Sequence, residues 1–295
     1  MNDKKAITLA LASVLFWSTV ATAFKIGLVE FEPARLIFIA TITSLLLFLA
    51  LIASARKLRL LVEIKPRQYL HHAIMGFLNP FAYYLILFKA YSLLPAQVAQ
   101  PINMTWPIIL IIMSVPFLHH KIGWKSYLAL FISFTGVILI SSQGKISNLM
   151  NVEPKGILLC IGSAFVWSTY WIFNVKNKMD ELTGLFLNFF FGLIYLTIYI
   201  AAFSTFKFQF SKSLAAGIYI GIFETGISFV FWMKAMSLTS SSAKIANLIY
   251  LAPFLSLIFI HSILGEEIFA TTIVGLFFII SGILFQKTDK QKNYE

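Results

Sequence analysis

One carboxylate lies where a membrane would make it costly: Glu224, near the middle of the apolar run Leu214–Leu238. An acidic group at the centre of a spanning helix costs about 2.5–3.5 kcal/mol on insertion scales, so it faces the protein interior, either protonated or paired. There it can take up and release a proton or hold a substrate amine. A structural hydrogen bond within the bundle is the plainer alternative. Embedded amides form a second set: Asn79, Asn103, Asn174, Asn188 and Asn247. Asn103 and Asn247 stand near Pro101, Pro107 and Pro253, and Asn79 precedes Pro80. A proline removes a backbone donor and frees a carbonyl, which then serves a hinge or cavity, or merely a packing kink. Amides of this kind otherwise act as interhelical glue, worth below about 1 kcal/mol each.

The third set is aromatic. Trp17, Trp106, Trp167, Trp171 and Trp232 fall within apolar runs, with Tyr83, Tyr84, Tyr170 and Tyr250. Tryptophan gathers at the two membrane interfaces as a belt, yet Trp17 and Trp167 sit some ten residues inside their runs. An indole offers a donor and a broad face, suited to an apolar, planar or cationic solute; core packing is the alternative for each. His71-His72 and His119-His120 are adjacent pairs, and neighbours in sequence point to different sides of a helix, so no metal clip is expected. Cys160 is the single cysteine and lies in an apolar run, which excludes an intramolecular disulfide and a thiolate metal site. Glu266-Glu267 is expected to open the last helix, where carboxylates complement the positive end of the dipole. No metal or cofactor is implied.

The elements that position these groups are helices in lipid. Apolar residues make up 59% of the 295 and charged ones only 12%, about half of what a soluble surface carries. Apolar runs of about 20 residues, the length that crosses a bilayer, occur at Ile7–Leu28, Ala34–Ala53, Leu70–Leu93, Val98–Leu118 and Trp124–Ser142. Five more follow at Gly156–Val175, Thr183–Phe203, Leu214–Leu238, Ile245–Leu264 and Phe269–Phe285. They are continuously apolar, not alternating, which favours helices over a barrel.

The net charge of +11 is explained by topology. With a cytoplasmic N-terminus, one side receives Lys4, Lys5, Arg56, Lys57, Arg59, Lys65, Arg67, Lys121, Lys125, Lys176, Lys178, Lys287, Lys290 and Lys292. The other receives Arg35, Lys145, Lys155, Lys207 and Lys212. This positive-inside bias predicts both termini in the cytoplasm of a bacterial inner-membrane protein. Anionic lipid is the expected counter-charge, and no nucleic-acid partner is needed.

The two halves repeat. Leu15-Phe16-Trp17-Ser18-Thr19 returns as Phe165-Val166-Trp167-Ser168-Thr169, and Lys89-Ala90-Tyr91-Ser92-Leu93 as Lys234-Ala235-Met236-Ser237-Leu238. Gly136-Val137-Ile138-Leu139 pairs with Gly282-Ile283-Leu284-Phe285. On the same register Asn79 is the counterpart of Glu224. The first run, preceded by Lys4-Lys5 and followed by a cleavage-like Ala21-Thr22-Ala23, therefore reads as a repeat helix and not as a signal peptide. Five spans per repeat is an odd number, so the second repeat must insert inverted. The expected fold is all-α and membrane-integral: ten transmembrane helices as two inverted five-helix repeats, residues 1–145 and 146–295. Inverted repeats allow two near-equivalent states open to opposite sides, the architecture of secondary transporters.

Ten spans, Trp-Ser-Thr in the first helix of each half and Leu264-Gly265-Glu266 after the ninth span resemble the drug/metabolite transporter superfamily, and within it the EamA group, over essentially the whole chain. Asn103-Met104-Thr105-Trp106-Pro107 and Ala164–Asn174 are similar to segments of that family's aromatic amino acid exporters. Where the second half has Gly265-Glu266 the first has His119-His120, a departure from a symmetric carboxylate. The resemblance implies export of amino acids or related metabolites, and the deep tryptophans favour aromatic or hydrophobic ones. The small-molecule site is then expected at Trp17, Asn79, Tyr83, Asn103, Trp106, Trp167, Tyr170, Asn247 and Tyr250, with Glu224 as the candidate for proton coupling.

Rival functions are a flippase of lipid-linked substrates, a nucleotide-like metabolite exchanger, and, more remotely, a membrane enzyme. The chain carries no Gly-x-x-x-x-Gly-Lys-Ser/Thr for its own ATP-driven pumping and no His-Glu-x-x-His.

Overall fold

The computed structural model describes residues 2–118, 123–144, 153–174, 179–239, 245 and 247–286. The His119-His120 pair and Lys121, Lys145, Lys176, Lys178, Lys287, Lys290 and Lys292 lie outside them. The described residues fold into helices without strands. In chain order these are α1 (Asp3–Gly27), α2 (Pro33–Ser54), α3 (Pro66–Leu93), α4 (Ala96–Phe117), α5 (Trp124–Ser141), α6 (Pro154–Asn174), α7 (Glu181–Phe203), α8 (Lys212–Leu238), α9 (Ile249–Leu264) and α10 (Ala270–Gln286). Seven of them are long and apolar enough to cross a membrane; α5, α9 and α10 are shorter apolar helices.

Local chemistry sets the ends. Pro33, Pro66 and Pro154 open α2, α3 and α6, where a missing N–H costs nothing. Asp180 caps α7 by accepting from the Thr183 amide at 3.2 Å, and Ser211 caps α8 by accepting from the Leu214 amide at 3.3 Å. Gly265, at φ +71°, turns the chain after α9 in the left-handed region.

Contacts divide the described chain into two units, each drawn from both sequence halves. The first takes its residues from Met1–Phe88 and Lys178–Phe259. Here α1 runs antiparallel to α8: Ser13 Oγ donates to the Ser228 carbonyl at 3.0 Å, and Ser213 Oγ to that of Ile26 at 2.9 Å. α2 runs parallel to α8, with Gly217 against Ile39 and Gly221 against the Ala40 carbonyl. α3 runs parallel to α7, with Gly76 against the Asn188 carbonyl and His72 Nδ1 bonded to Asn188 Oδ1 at 2.7 Å. α2 and α7 meet through Phe48 and Phe189, whose rings cross edge to face at 5.3 Å. Their ends are tied as well. Lys57, beyond α2, pairs with Asp180, and Ser204 Oγ, beyond α7, donates to Glu32 Oε2 at 3.0 Å.

The second unit draws on Lys89–Asn177 and Ile260–Glu295. α5 and α10 cross antiparallel on glycines: a Cβ on Gly275 would lie 2.6 Å from the Gly136 carbonyl, and one on Gly282 would lie 2.7 Å from that of Ala129. Between them Ser133 Oγ donates to the Ile279 carbonyl at 3.2 Å. In lipid there is no apolar driving force between helices, so small residues and hydroxyls supply the packing.

Glu266 departs from the expectation for the last helix. α10 begins at Ala270, and Glu266 instead receives the amides of Ala96 (2.8 Å) and Gln97 (3.1 Å) at the start of α4. The carboxylate does meet the positive end of a helix dipole, but the helix is α4 and not α10. α4 opens without a side-chain cap of its own, so its free amides recruit a carboxylate distant in sequence.

Candidate functional site

In the first unit the site is built around an interruption of α8. Over Ile220–Ile227 the helix widens to i→i+5 bonding, which releases carbonyls from the regular ladder. Neighbouring side chains take them up. Trp17 Nε1 of α1 donates to the Glu224 carbonyl at 3.3 Å, and Ser44 Oγ of α2 donates to that of Gly221 at 2.9 Å while pairing with Thr225 Oγ1 at 2.5 Å. The Glu224 side chain is half-buried, and its Oε1 accepts from the Tyr84 hydroxyl of α3 at 3.0 Å. Trp17 packs edge to face on Phe229 (5.7 Å) and lies 5.3 Å from Trp232. A carboxylate is therefore presented beside an aromatic wall from α1 and α8.

α3 is interrupted too. Over Phe77–Ala82 it leaves helical geometry at Asn79 (φ −146°, ψ 118°), directly before Pro80. Asn79 is buried, and its Oδ1 has no hydrogen-bond partner among the described residues. Tyr83 is buried one turn on, its ring 4.7 Å from that of Tyr84. Tyr250 is half-buried in a tight turn, Ile249–Leu251, at the start of α9, and Asn247 stands exposed just before it.

The second unit holds the remaining candidates. Trp167 stacks on Tyr170 at 5.5 Å and 20°, and meets Trp106 (6.5 Å) and Trp171 (6.0 Å) edge on. Ser168 Oγ ties α6 to the Trp106 carbonyl at 3.0 Å, beside the turn at Met104 and Thr105 that interrupts α4. Asn103 Nδ2 donates to Ser163 Oγ at 3.0 Å. Trp171 Nε1 and Gln100 Oε1, on α6 and α4, are buried without a hydrogen-bond partner among the described residues.

Sequence-predicted residues thus fall into two sets. Glu224 and Trp17 meet in the first unit, with Asn79 and Tyr83 on the helix that supplies Tyr84. Trp106, Trp167 and Tyr170 form one aromatic group in the second, with Asn103 on the same helix pair. The sequence places Tyr84 among the embedded aromatics but outside the expected site, and it does not single out Gln100: a tyrosine among 11, or a glutamine at a helix start, has no distinguishing mark in sequence until a partner is seen. Among the described residues no group of three His, Cys, Asp or Glu side chains is placed to hold a metal.

Comparison with known proteins places this arrangement. A model of the EamA-like transporter family matches residues 4–142 and 154–286. A protein of Archaeoglobus fulgidus named "Uncharacterized transporter" is 27% identical over 298 residues, 99% of each chain. Another of that name from Clostridium kluyveri is 27% identical over 195 residues, 61% of each. A solved crystal structure shares the fold, with a TM-score of 0.64 and 19% identity over 96% of each chain. With seven spanning-length helices and a family match covering nearly its whole length, the chain is a multi-pass membrane protein and belongs to the EamA-like transporter family.

Proposed function

We propose that the protein is a secondary transporter that moves small metabolites, aromatic or hydrophobic amino acids foremost, out across the bacterial inner membrane by alternating access, with Glu224 as the proton-coupling group. The observation that carries this reading is a pair of helix interruptions at corresponding places in the two halves. Phe77–Ala82 in α3 and Ile220–Ile227 in α8 overlap when shifted by 145 positions, and Asn79 then corresponds to Glu224. The turn at Met104-Thr105, followed by Pro107, likewise corresponds to Ile249–Leu251, followed by Pro253. Discontinuous helices in matching positions are where transporters of this architecture place substrate and coupling ion.

Contacts within each unit support the inverted arrangement of residues 1–145 and 146–295 as ten helices. Gly76 against the Asn188 carbonyl has its counterpart in Gly221 against that of Ala40. α5 and α10, counterparts by sequence, run antiparallel and touch at Gly136 with Gly275, Ala129 with Gly282 and Ser133 with Ile279, three contacts that map onto one another when the halves are exchanged. Two family-model matches of similar length, 4–142 and 154–286, agree with that division.

Saturable uptake of labelled aromatic amino acids by proteoliposomes, weakened in Trp167→Ala, is the expected result. Folded, inserted protein that takes up no member of a mixed amino acid pool would overturn the substrate assignment and leave the transporter fold standing.

A further inference from the structure

We infer that Tyr84 is the positioning residue of the coupling step: its phenol fixes one oxygen of Glu224 and leaves the other as the atom that takes and gives up the proton. The inference rests on the coupling role proposed for Glu224. Tyr84 O–H donates to Oε1 at 3.0 Å, while Oε2 has no hydrogen-bond partner among the described residues and the side chain is only half-buried. The phenol is held in place. Tyr84 is 1% exposed, and its ring is set edge on to Phe24 (6.4 Å), Phe88 (5.5 Å) and Tyr83 (4.7 Å).

The root of the carboxylate is fixed from the other side. Trp17 holds the Glu224 carbonyl, and Ser13 holds that of Ser228 one turn further on. Backbone and Oε1 are therefore tethered by α1 and α3, and freedom is confined to Oε2. A proton arriving on Oε2 leaves the Tyr84 bond in place, so one proton is bound and one released per cycle with no other group consumed. A donor directed at a carboxylate favours its ionised form. Among the other titratable groups on helices packed here, Tyr219 pairs with Thr19 (2.7 Å), Arg35 donates to the Lys207 carbonyl (3.1 Å), Lys25 and the buried Tyr83 have interactions of their own, and Lys234 is exposed.

The test is the pH dependence of gradient-driven uptake in proteoliposomes. Tyr84→Phe keeps the ring and removes the donor, and should move the midpoint upward by about one pH unit at unchanged substrate KM. In a Glu224→Asp background, whose shorter carboxylate cannot reach the phenol, Tyr84→Phe should add no further shift. A wild-type midpoint in Tyr84→Phe, or an equal shift in the Asp background, overturns the positioning role. If Tyr84→Phe does not transport, infrared titration of the carboxyl band, identified by its loss in Glu224→Gln, reads the same shift without turnover. Accumulation that survives Glu224→Gln would sink the coupling reading itself; accumulation lost there, with the Tyr84→Phe midpoint unmoved, sinks only the role of Tyr84.

Discussion

Trp167 is wedged among Tyr170, Trp106 and Trp171, so its indole face is pre-set before any solute arrives. Pre-ordering reduces the entropy lost on binding, and an aromatic contact is worth about 0.5–1.5 kcal/mol beyond the area it covers. Trp167→Ala is therefore expected to raise the KM for aromatic substrates by roughly 2- to 10-fold, with a smaller effect on aliphatic ones; equal losses for both would point to a packing role. Asn103→Ala removes the donor to Ser163. That should lower the thermal midpoint in detergent by an amount matching about 0.6 kcal/mol, the average for such bonds in membranes. At this scale much of the candidate site we propose could be named from the sequence. A carboxylate in an apolar run, or a tryptophan ten residues inside one, stands out because lipid makes it improbable. Tyr84 does not, because tyrosine is at home in a membrane protein and acquires meaning only from the oxygen it touches.

Elements were legible where composition dictates them and illegible where hydrogen bonding does. Each of the ten apolar runs contains a helix, and Pro80 and Pro253 lie at interruptions, because a missing N–H is written in the residue type. The widened turn around Glu224 has no such signature: it depends on Trp17, Ser13 and Ser44 taking up freed carbonyls from other helices. The cap on α4 was hidden for the same reason, Glu266 being about 170 residues away. Two predictions belong here. Gly136→Leu forces a side chain into the α5–α10 crossing and should destabilise by about 1–3 kcal/mol, whereas Gly162→Ala, with nothing near its Cβ, should be silent in the same melting assay. At the α2–α7 end, burial raises the Asp180 carboxyl, but the Lys57 ammonium and the Thr183 amide and hydroxyl outweigh it and hold the group below the usual range. A depressed folded pKa means that the stabilisation is present above the unfolded value, near pH 4, and is lost as pH falls through the folded one. Melting points in detergent should accordingly drop on acidification below about pH 4, and Asp180→Asn should flatten that dependence while lowering the midpoint at neutral pH.

For the whole molecule, the repeat we propose rests on three short matched segments in the sequence, and the matched interruptions of α3 with α8 and of α4 with α9 add geometry to that spelling. What breaks the likeness is informative. Asn79 cannot ionise where Glu224 can, so of this matched pair only Glu224 can carry the proton in the coupling we propose. The most direct test of the account is accumulation of an aromatic amino acid in proteoliposomes under an imposed pH gradient, with wild-type protein and Glu224→Gln side by side. The account predicts uphill accumulation by the wild type and, in Glu224→Gln, loss of accumulation with downhill exchange retained. Uphill accumulation by both, or by neither while both exchange substrate, would contradict it.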